Sequence, residues 1–310
     1  MNAPNSQNIS KKNEPFSNGV ETPRIGCIGQ GWIGRNYADD FERRGYTVVR
    51  YSLEEPYVKN KEAIAECDVV FIAVPTPTSS KGFDASTVRD VLPLVGKGKI
   101  AVIKSTIIPG TTNLFHSEFP NIYVVHSPEF LREKTAAEDA QHPERNIVGI
   151  PETSDEYEAV AQLLLSVLPR APYTRVMSAT SAELVKYAGN AFLMMKVVFA
   201  NLLYDLSESL SISYDEVSEA LGADPRIGAS HLQPISASGH SVTPGRGAAG
   251  HCFIKDFEAL RQLQKHLGND PEGEQLLASI VKKNNALLTA SGKDIDLLRS
   301  VYGTSHELLP

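Results

Sequence analysis

Cys252 lies in the segment Gly250-His251-Cys252-Phe253-Ile254-Lys255-Asp256, between glycine-rich chain and an apolar repeat at Phe257, Leu260, Leu263 and Leu267 that stops at Gly268. The repeat has helical spacing, and a glycine just past it is a helix stop. The thiol is therefore expected at or just before a helix N-terminus, with Lys255 close by. A helix dipole and a neighbouring cation both favour thiolate over thiol, and the thiolate is the nucleophile. Any cysteine before a helix shares this arrangement, so by itself Cys252 fits a small buried side chain better.

A second group lies on a long apolar-periodic stretch: Glu183, Lys186, Tyr187 and Asn190 fall along one face, with Lys186 and Asn190 four apart and so neighbours. A lysine and an amide projecting together can donate to one developing oxyanion. Taken alone they also fit a solvated polar stripe, but Phe192, Leu193, Met195, Val198 and Phe199 on the same stretch argue that the helix is buried. Two further candidates end strands. Thr106 precedes Pro109-Gly110, and Glu129 belongs to Ser127-Pro128-Glu129-Phe130-Leu131-Arg132-Glu133. In open parallel sheets ligands bind beyond the carboxyl ends of strands.

Gly29-Gln30-Gly31-Trp32-Ile33-Gly34 follows the first strand and opens a helix, the context that makes GxGxxG a dinucleotide fingerprint. Its glycines serve a tight turn, close approach of pyrophosphate, and helix–strand packing. NAD sites usually end the second strand in Asp or Glu; here Ser52 holds that place. Arg50 and Ser52 share a face and could take a 2′-phosphate, whereas Glu54 and Glu55 could serve NAD. NAD is the expected cofactor, with NADP as the alternative.

The elements that must position these residues are legible as alternating strands and helices. Strands are expected at 24–29, 46–51, 68–74, 99–104, 121–126 and 146–150, with helices at 33–44, 86–94 and 155–168 among them. That alternation predicts an α/β fold, a Rossmann-type, doubly wound, mostly parallel sheet. After residue 177 the pattern turns all-helical. Thr180-Ser181-Ala182-Glu183 reads as a capping box for a long central helix to about Leu210, Ser213 as the cap of a second helix ending at Gly222, and further helices are expected near 255–267, 273–289 and 293–301. The domain boundaries are thus a disordered tail at 1–23, a dinucleotide-binding domain at 24–177, a helical domain at 178–302 and a tail at 303–310. With 42% apolar residues and a net charge of −7, the chain supports a real core and gives no reason to expect nucleic acid or an anionic membrane as partner. Cys27, Cys67 and Cys252 make no disulfide framework, which fits a reducing cytoplasm. No apolar run reaches the roughly 18–20 residues that span a bilayer. No metal site is expected.

Together these stretches resemble the UDP-glucose/GDP-mannose dehydrogenase family. The matching motifs run in family order: GQGWIG at 29–34, VPTPT at 74–78, KSTIIPGTT at 104–112, SPEFLRE at 127–133, AELVKYAGNAF at 182–192, DPRIG at 224–228 and GHCFIKD at 250–256. The family oxidises the primary alcohol of a nucleotide sugar to a carboxylate with two NAD and no separately released aldehyde. The resemblance implies that Cys252 traps the aldehyde as a thiohemiacetal, which is oxidised to a thioester and hydrolysed. It implies that Lys186 and Asn190 stabilise the oxyanions, that Asp256 and Thr106 hold the hydrolytic water, and that Glu129 assists proton transfer. The cofactor would meet Gly29, Gln30, Gly31, Trp32, Ile33, Gly34, Ser52, Val74, Pro75, Thr76, Ser105 and Thr106. A sugar or nucleotide-sugar substrate would meet Glu129, Phe130, Leu131, Arg132, Lys186, Asn190 and Lys255. Arg226, in DPRIG, matches an arginine that in the family reaches a neighbouring subunit's site, which implies a homodimer through the helical domain.

Family members usually continue into a second Rossmann-like domain that holds the nucleotide of the substrate, so a short member lacking that domain is expected. Ala249 and Gly250 stand where the family has two glycines, and Ile254 replaces its proline. The loop between Gln233 and Gly247 is lengthened and offers His240 and Arg246. The competing expectations are a two-electron β-hydroxyacid dehydrogenase, which also carries Lys and Asn four apart but lacks the cysteine, and a non-catalytic dinucleotide-binding protein.

Overall fold

The computed structural model describes residues 22–237 and 243–303. Nearly all of the expected N-terminal tail, the tail beyond 303 and His240 lie outside the described residues.

Buried parallel strands must be apolar on both faces, and the chain supplies such runs. They form a seven-stranded sheet. In chain order come β1 (Ile25–Ile28), β2 (Val48–Tyr51) and β3 (Val69–Ile72). A small hairpin of β4 (Thr78–Ser79) and β5 (Gly82–Phe83) stands apart from the sheet. The sheet continues with β6 (Ile100–Ile103), β7 (Tyr123–His126), β8 (Arg145–Ile150) and β9 (Tyr173–Ser178). The order across it is β2-β1-β3-β6-β7-β8-β9, parallel throughout except between β7 and β8.

Helices α1 (Trp32–Arg43), α2 (Ser86–Val91), α3 (Thr111–Glu118), α4 (Ala136–Gln141) and α5 (Asp155–Val167) occupy the crossovers. The register sorts the core. Cys27, Phe71, Val102 and Val125 share one rung and pack on α1 and α5, while Ile28, Ile72 and Ile103 face α2 and α3. Both faces are covered, as a doubly wound sheet requires. Strand order reverses between β1 and β3, and the crevice for a dinucleotide lies beyond their carboxyl ends.

The helical part holds α6 (Ala179–Leu210), α7 (Tyr214–Gly222), a second small hairpin of β10 (Ile235–Ser236) and β11 (Gly245–Arg246), then α8 (His251–Leu267), α9 (Pro271–Ser291) and α10 (Ile295–Tyr302). Ile254, Phe257, Met194, Val281, Leu288 and Leu298 form its core. Ser213 caps α7 as expected, accepting from the Glu216 N–H.

Three expectations are corrected. The edge strand β9 gave no strand signal because its first three residues are exposed and polar or aromatic rather than alternating. Helix α8 begins at His251 rather than near 255, which leaves Cys252 at the helix N-terminus as expected, inside the first turn. The capping box at 180–183 does not form. Ser178 caps α6, accepting from Ser181 N–H. Glu183 instead turns to α3, where its carboxylate accepts from Gly110 N–H at 2.5 Å, Thr112 N–H at 2.7 Å and the Thr112 hydroxyl at 2.6 Å. A carboxylate at a helix N-terminus meets free N–H groups and the positive end of the dipole, so the stronger partner in space displaces the local one. The same contact ties the start of α6 to the loop after β6, which carries Thr106.

Candidate active site

The glycine fingerprint has the shape its chemistry needs. A Cβ on Gly29, at φ +89, would run into the Ala73 carbonyl oxygen, and one on Gly34 would run into that of Gly29. A Cβ on Gly31 would meet nothing within 4 Å. The first and third glycines are thus fixed by packing, and the second leaves open space at the N-terminus of α1, whose N–H groups have no side-chain cap. These residues fit a pyrophosphate bound on a helix N-terminus. Trp32 is half-buried there and Ile33 packs on the sheet core. Gly34→Ala is expected to cost about 1–3 kcal/mol by forced overpacking. Gly31→Ala should leave stability within ~0.5 kcal/mol and weaken dinucleotide binding at least about tenfold. Urea unfolding and NADH fluorescence titration of both variants check this.

Beyond β3 and β6, Ser105 and Thr76 do not present hydroxyls to a ligand. The Ser105 hydroxyl donates to Val74 O at 2.7 Å and accepts from Val74 N–H at 2.9 Å, and the Thr76 hydroxyl donates to Thr106 O at 2.7 Å. They fasten the VPT and KST loops to each other; Pro75 lies exposed on the first of them. At the end of β2, Arg50 is taken by Glu42 and Asp39 at 2.6–2.9 Å. The Ser52 hydroxyl is turned to the Glu54 backbone. Arg50 is therefore not free for a 2′-phosphate, contrary to the reading that kept it available.

At the junction of the two parts, α6 and α8 bring the reactive types together. Lys186 Nζ donates to Glu129 Oε1 at 2.7 Å, with both side chains at most 5% exposed. Glu129 Oε2 accepts from Leu131 N–H at 2.8 Å, which fixes the carboxylate plane. Asn190 Nδ2 donates to Asp256 Oδ2 at 2.6 Å, and Lys255 bonds the other Asp256 oxygen. Phe130 lies beside Lys186 and carries the Arg145 guanidinium 3.7 Å from its ring centre. Burial alone would lower Lys186, but Glu129, Cys252 and Asp256 outweigh it and hold its pKa above the usual lysine value. It stays a cation.

Cys252 is exposed, whereas Cys27 and Cys67 are buried. The protein around it still strips water from the thiol, and loss of hydration together with Asp256 and Glu129 pushes it up to about 11 against the opposing pull of Lys186 and Lys255. The expectation of a thiol activated by Lys255 is corrected: that cation is paired with Asp256, one residue on. Only the thiolate alkylates, so iodoacetamide labelling of the native chain should rise about tenfold per unit from pH 8 to pH 10 without a plateau. A plateau by pH 9 would show an ordinary thiol.

Residues 52–166 match the NAD binding domain of the UDP-glucose/GDP-mannose dehydrogenase family, and residues 180–286 match its central domain. The chain belongs to the UDP-glucose/GDP-mannose dehydrogenase family. It is 32% identical over 289 residues to the UDP-glucose 6-dehydrogenase YwqF of Bacillus subtilis, a match spanning 87% of this chain and 60% of that protein. It is 33% identical over 227 residues to the UDP-glucose 6-dehydrogenase of Rickettsia typhi, spanning 70% and 49%. The structure of a UDP-glucose dehydrogenase from Pyrobaculum islandicum superimposes with a TM-score of 0.75 at 27% identity, over 92% of this chain and 72% of that one. The chain spans about half the length of the curated relatives it matches.

Not every residue singled out from the dehydrogenase motifs joins the cluster. Arg132 donates to Asp139 from Nε and Nη2 and is 68% exposed. Arg226 is 88% exposed and pairs with Asp224. Arg246, read as available to a ligand, is bound to Asn201 and Asp205 of α6. Conversely, Lys104 was quoted only as part of a motif. It is buried, donates to the Ser127 hydroxyl at 3.2 Å and Pro128 O at 3.4 Å, and lies 4.3 Å from the Tyr37 ring centre. Burial pushes it down to about 7, with Lys186 adding to the fall and Glu129 opposing it. A lysine closing an otherwise apolar strand was the available signal.

Proposed function

We propose that this chain oxidises the primary alcohol of a nucleotide sugar, with UDP-glucose the first candidate, to a carboxylate through a covalent adduct on Cys252. The observation that carries this reading is the convergence of an exposed cysteine with the Glu129–Lys186 and Asn190–Asp256 pairs beyond a dinucleotide cradle. NAD, when bound at Gly29–Gly34, supplies a hydride acceptor for each of the two oxidations.

The protein's own residues do the rest. Glu129, oriented by Lys186 and Leu131, takes the hydroxyl proton as the carbon hydrogen leaves as hydride and an aldehyde forms. The Cys252 sulfur then bonds to the carbonyl carbon and the thiol proton ends on the former carbonyl oxygen. Lys186 and Asn190 donate to that oxygen as charge builds on it. Loss of the second hydride from this carbon, with the oxygen's proton returning to the protein, leaves a thioester. A water held by Asp256 and Thr106 adds to it, the C–S bond breaks, and the sulfur recovers a proton. A two-electron hydroxyacid dehydrogenase needs Lys186 and Asn190 but assigns nothing to Cys252.

The two acids around Arg50 and the acidic Glu54–Glu55 turn support NAD over NADP. Exposed Phe192, Phe199, Leu202, Leu206 and Leu210 along α6 support a homodimer formed through that helix. Among the described residues no helix is long and apolar enough to cross a membrane, and three free cysteines suit a reducing cytoplasm. The purified chain incubated with NAD and either UDP-glucose or GDP-mannose tests the reading. Absorbance growth from NADH with one of them supports it. No turnover and no thermal shift with either would overturn the nucleotide-sugar assignment.

A further inference from the structure

Five of the six residues before the Cys252 helix turn are fastened to a different part of the helical domain. Lys293, only 1% exposed, donates from Nζ to Gly245 O at 3.2 Å, Gly247 O at 3.3 Å and the Ser236 hydroxyl at 3.3 Å. Among the described residues it forms no ion pair. Arg246 N–H donates to the Ser291 hydroxyl at 2.9 Å. Asn284, fully buried, accepts from Ala248 N–H at 2.7 Å and donates to Ala248 O at 2.9 Å. Asp294 accepts from Gly250 N–H at 2.7 Å. Every residue from 245 to 250 except Ala249 is thus held through its backbone by side chains of α9 or of the turn that follows it.

The fit is close as well as polar. A Cβ on Gly247, at φ +92, would come within 3.1 Å of Leu288, and one on Gly245 within 2.8 Å of Ser291. Asp294 itself sits at φ +54, a left-handed conformation uncommon for a side-chain-bearing residue. A buried amino group is unfavourable unless its hydrogens are used, and here two of its bonds go to carbonyls of the strap and one to the Ser236 hydroxyl.

We propose that Lys293 and Asp294 act as a clamp that positions Cys252, by docking the 245–250 strap so that the first turn of α8 holds its sulfur against the Lys186, Asn190 and Asp256 groups. Lys293 and Asp294 are positioning residues, two and more contacts removed from the sulfur. Their effect on turnover rests on Cys252 being the nucleophile; their effect on the placement of the thiol does not.

The test uses the full native chain and counts alkylated thiols by mass spectrometry at pH 8. In the wild type only Cys252 should label, slowly. Asp294→Gly removes the carboxylate while the left-handed backbone suits glycine, so the fold is kept. It and Lys293→Met should label Cys252 at least about tenfold faster, as the sulfur leaves its dehydrated, acid-flanked place, with Cys27 and Cys67 still protected. With UDP-glucose and NAD, kcat should fall about tenfold while the KM for NAD stays unchanged. Labelling of Asp294→Gly within twofold of wild type would overturn the clamp, even if Lys293→Met exposes all three thiols through loss of fold. Faster labelling in a chain that turns over no nucleotide sugar would uphold the clamp and reject the catalytic reading instead.

Discussion

Cys252→Ser is expected to lower carboxylate formation at least about 10³-fold while cofactor binding and fold survive. A serine hydroxyl is a much weaker nucleophile than a thiol, and among the described residues no other exposed cysteine stands by to replace it. Without the adduct, the aldehyde has no tetrahedral carbon hydrogen to give to a second oxidation. The first oxidation needs only Glu129, Lys186 and Asn190, so a small burst of NADH with aldehyde retained on the protein is expected. Because Cys252 is exposed, the change in unfolding free energy should stay within ~0.5 kcal/mol. Acid production measured by chromatography, beside a urea unfolding curve, separates these effects. Unchanged acid production would remove Cys252 from the reaction.

Lys186→Met should damage both activity and stability. Lys186 and Glu129 form a buried pair, 5% and 2% exposed. Removing one partner of such a pair leaves an uncompensated charge and costs about 3–5 kcal/mol. Loss of one oxyanion donor lowers the rate by about 10²–10³-fold. The stability term is separable by a double variant: Lys186→Met with Glu129→Gln removes both charges and should recover most of the lost unfolding free energy. Activity should not return, since neither the donor nor the proton acceptor is restored. Recovery of turnover in the double variant would mean that Lys186 serves the fold alone.

The sheet was legible because strands such as Val69–Ile72 and Ile100–Ile103 are buried on both faces and read as unbroken apolar runs. The edge strand β9 was not, because exposure removed the apolar signal. Lys186 and Asn190 could be paired from helical spacing alone, but their acidic partners could not. Glu129 and Asp256 lie 57 and 66 residues away in sequence and meet them only through the fold. Glu183 shows local pattern losing to tertiary contact, since the cap it makes belongs to α3. Arg50 shows the same for charge: Asp39 and Glu42, one and two turns apart from the fingerprint on α1, neutralise it. Lys293, Asp294 and Asn284 carried no signal, because a side chain that binds the backbone of a distant loop follows no periodicity.

The most direct measurement is the ratio of NADH formed to uronic acid formed when the wild-type chain consumes UDP-glucose, read together by absorbance and mass spectrometry. Trapping of the aldehyde on Cys252 predicts two NADH for each acid and no free aldehyde. One NADH for each sugar oxidised, with aldehyde or ketone as the final product, would contradict it.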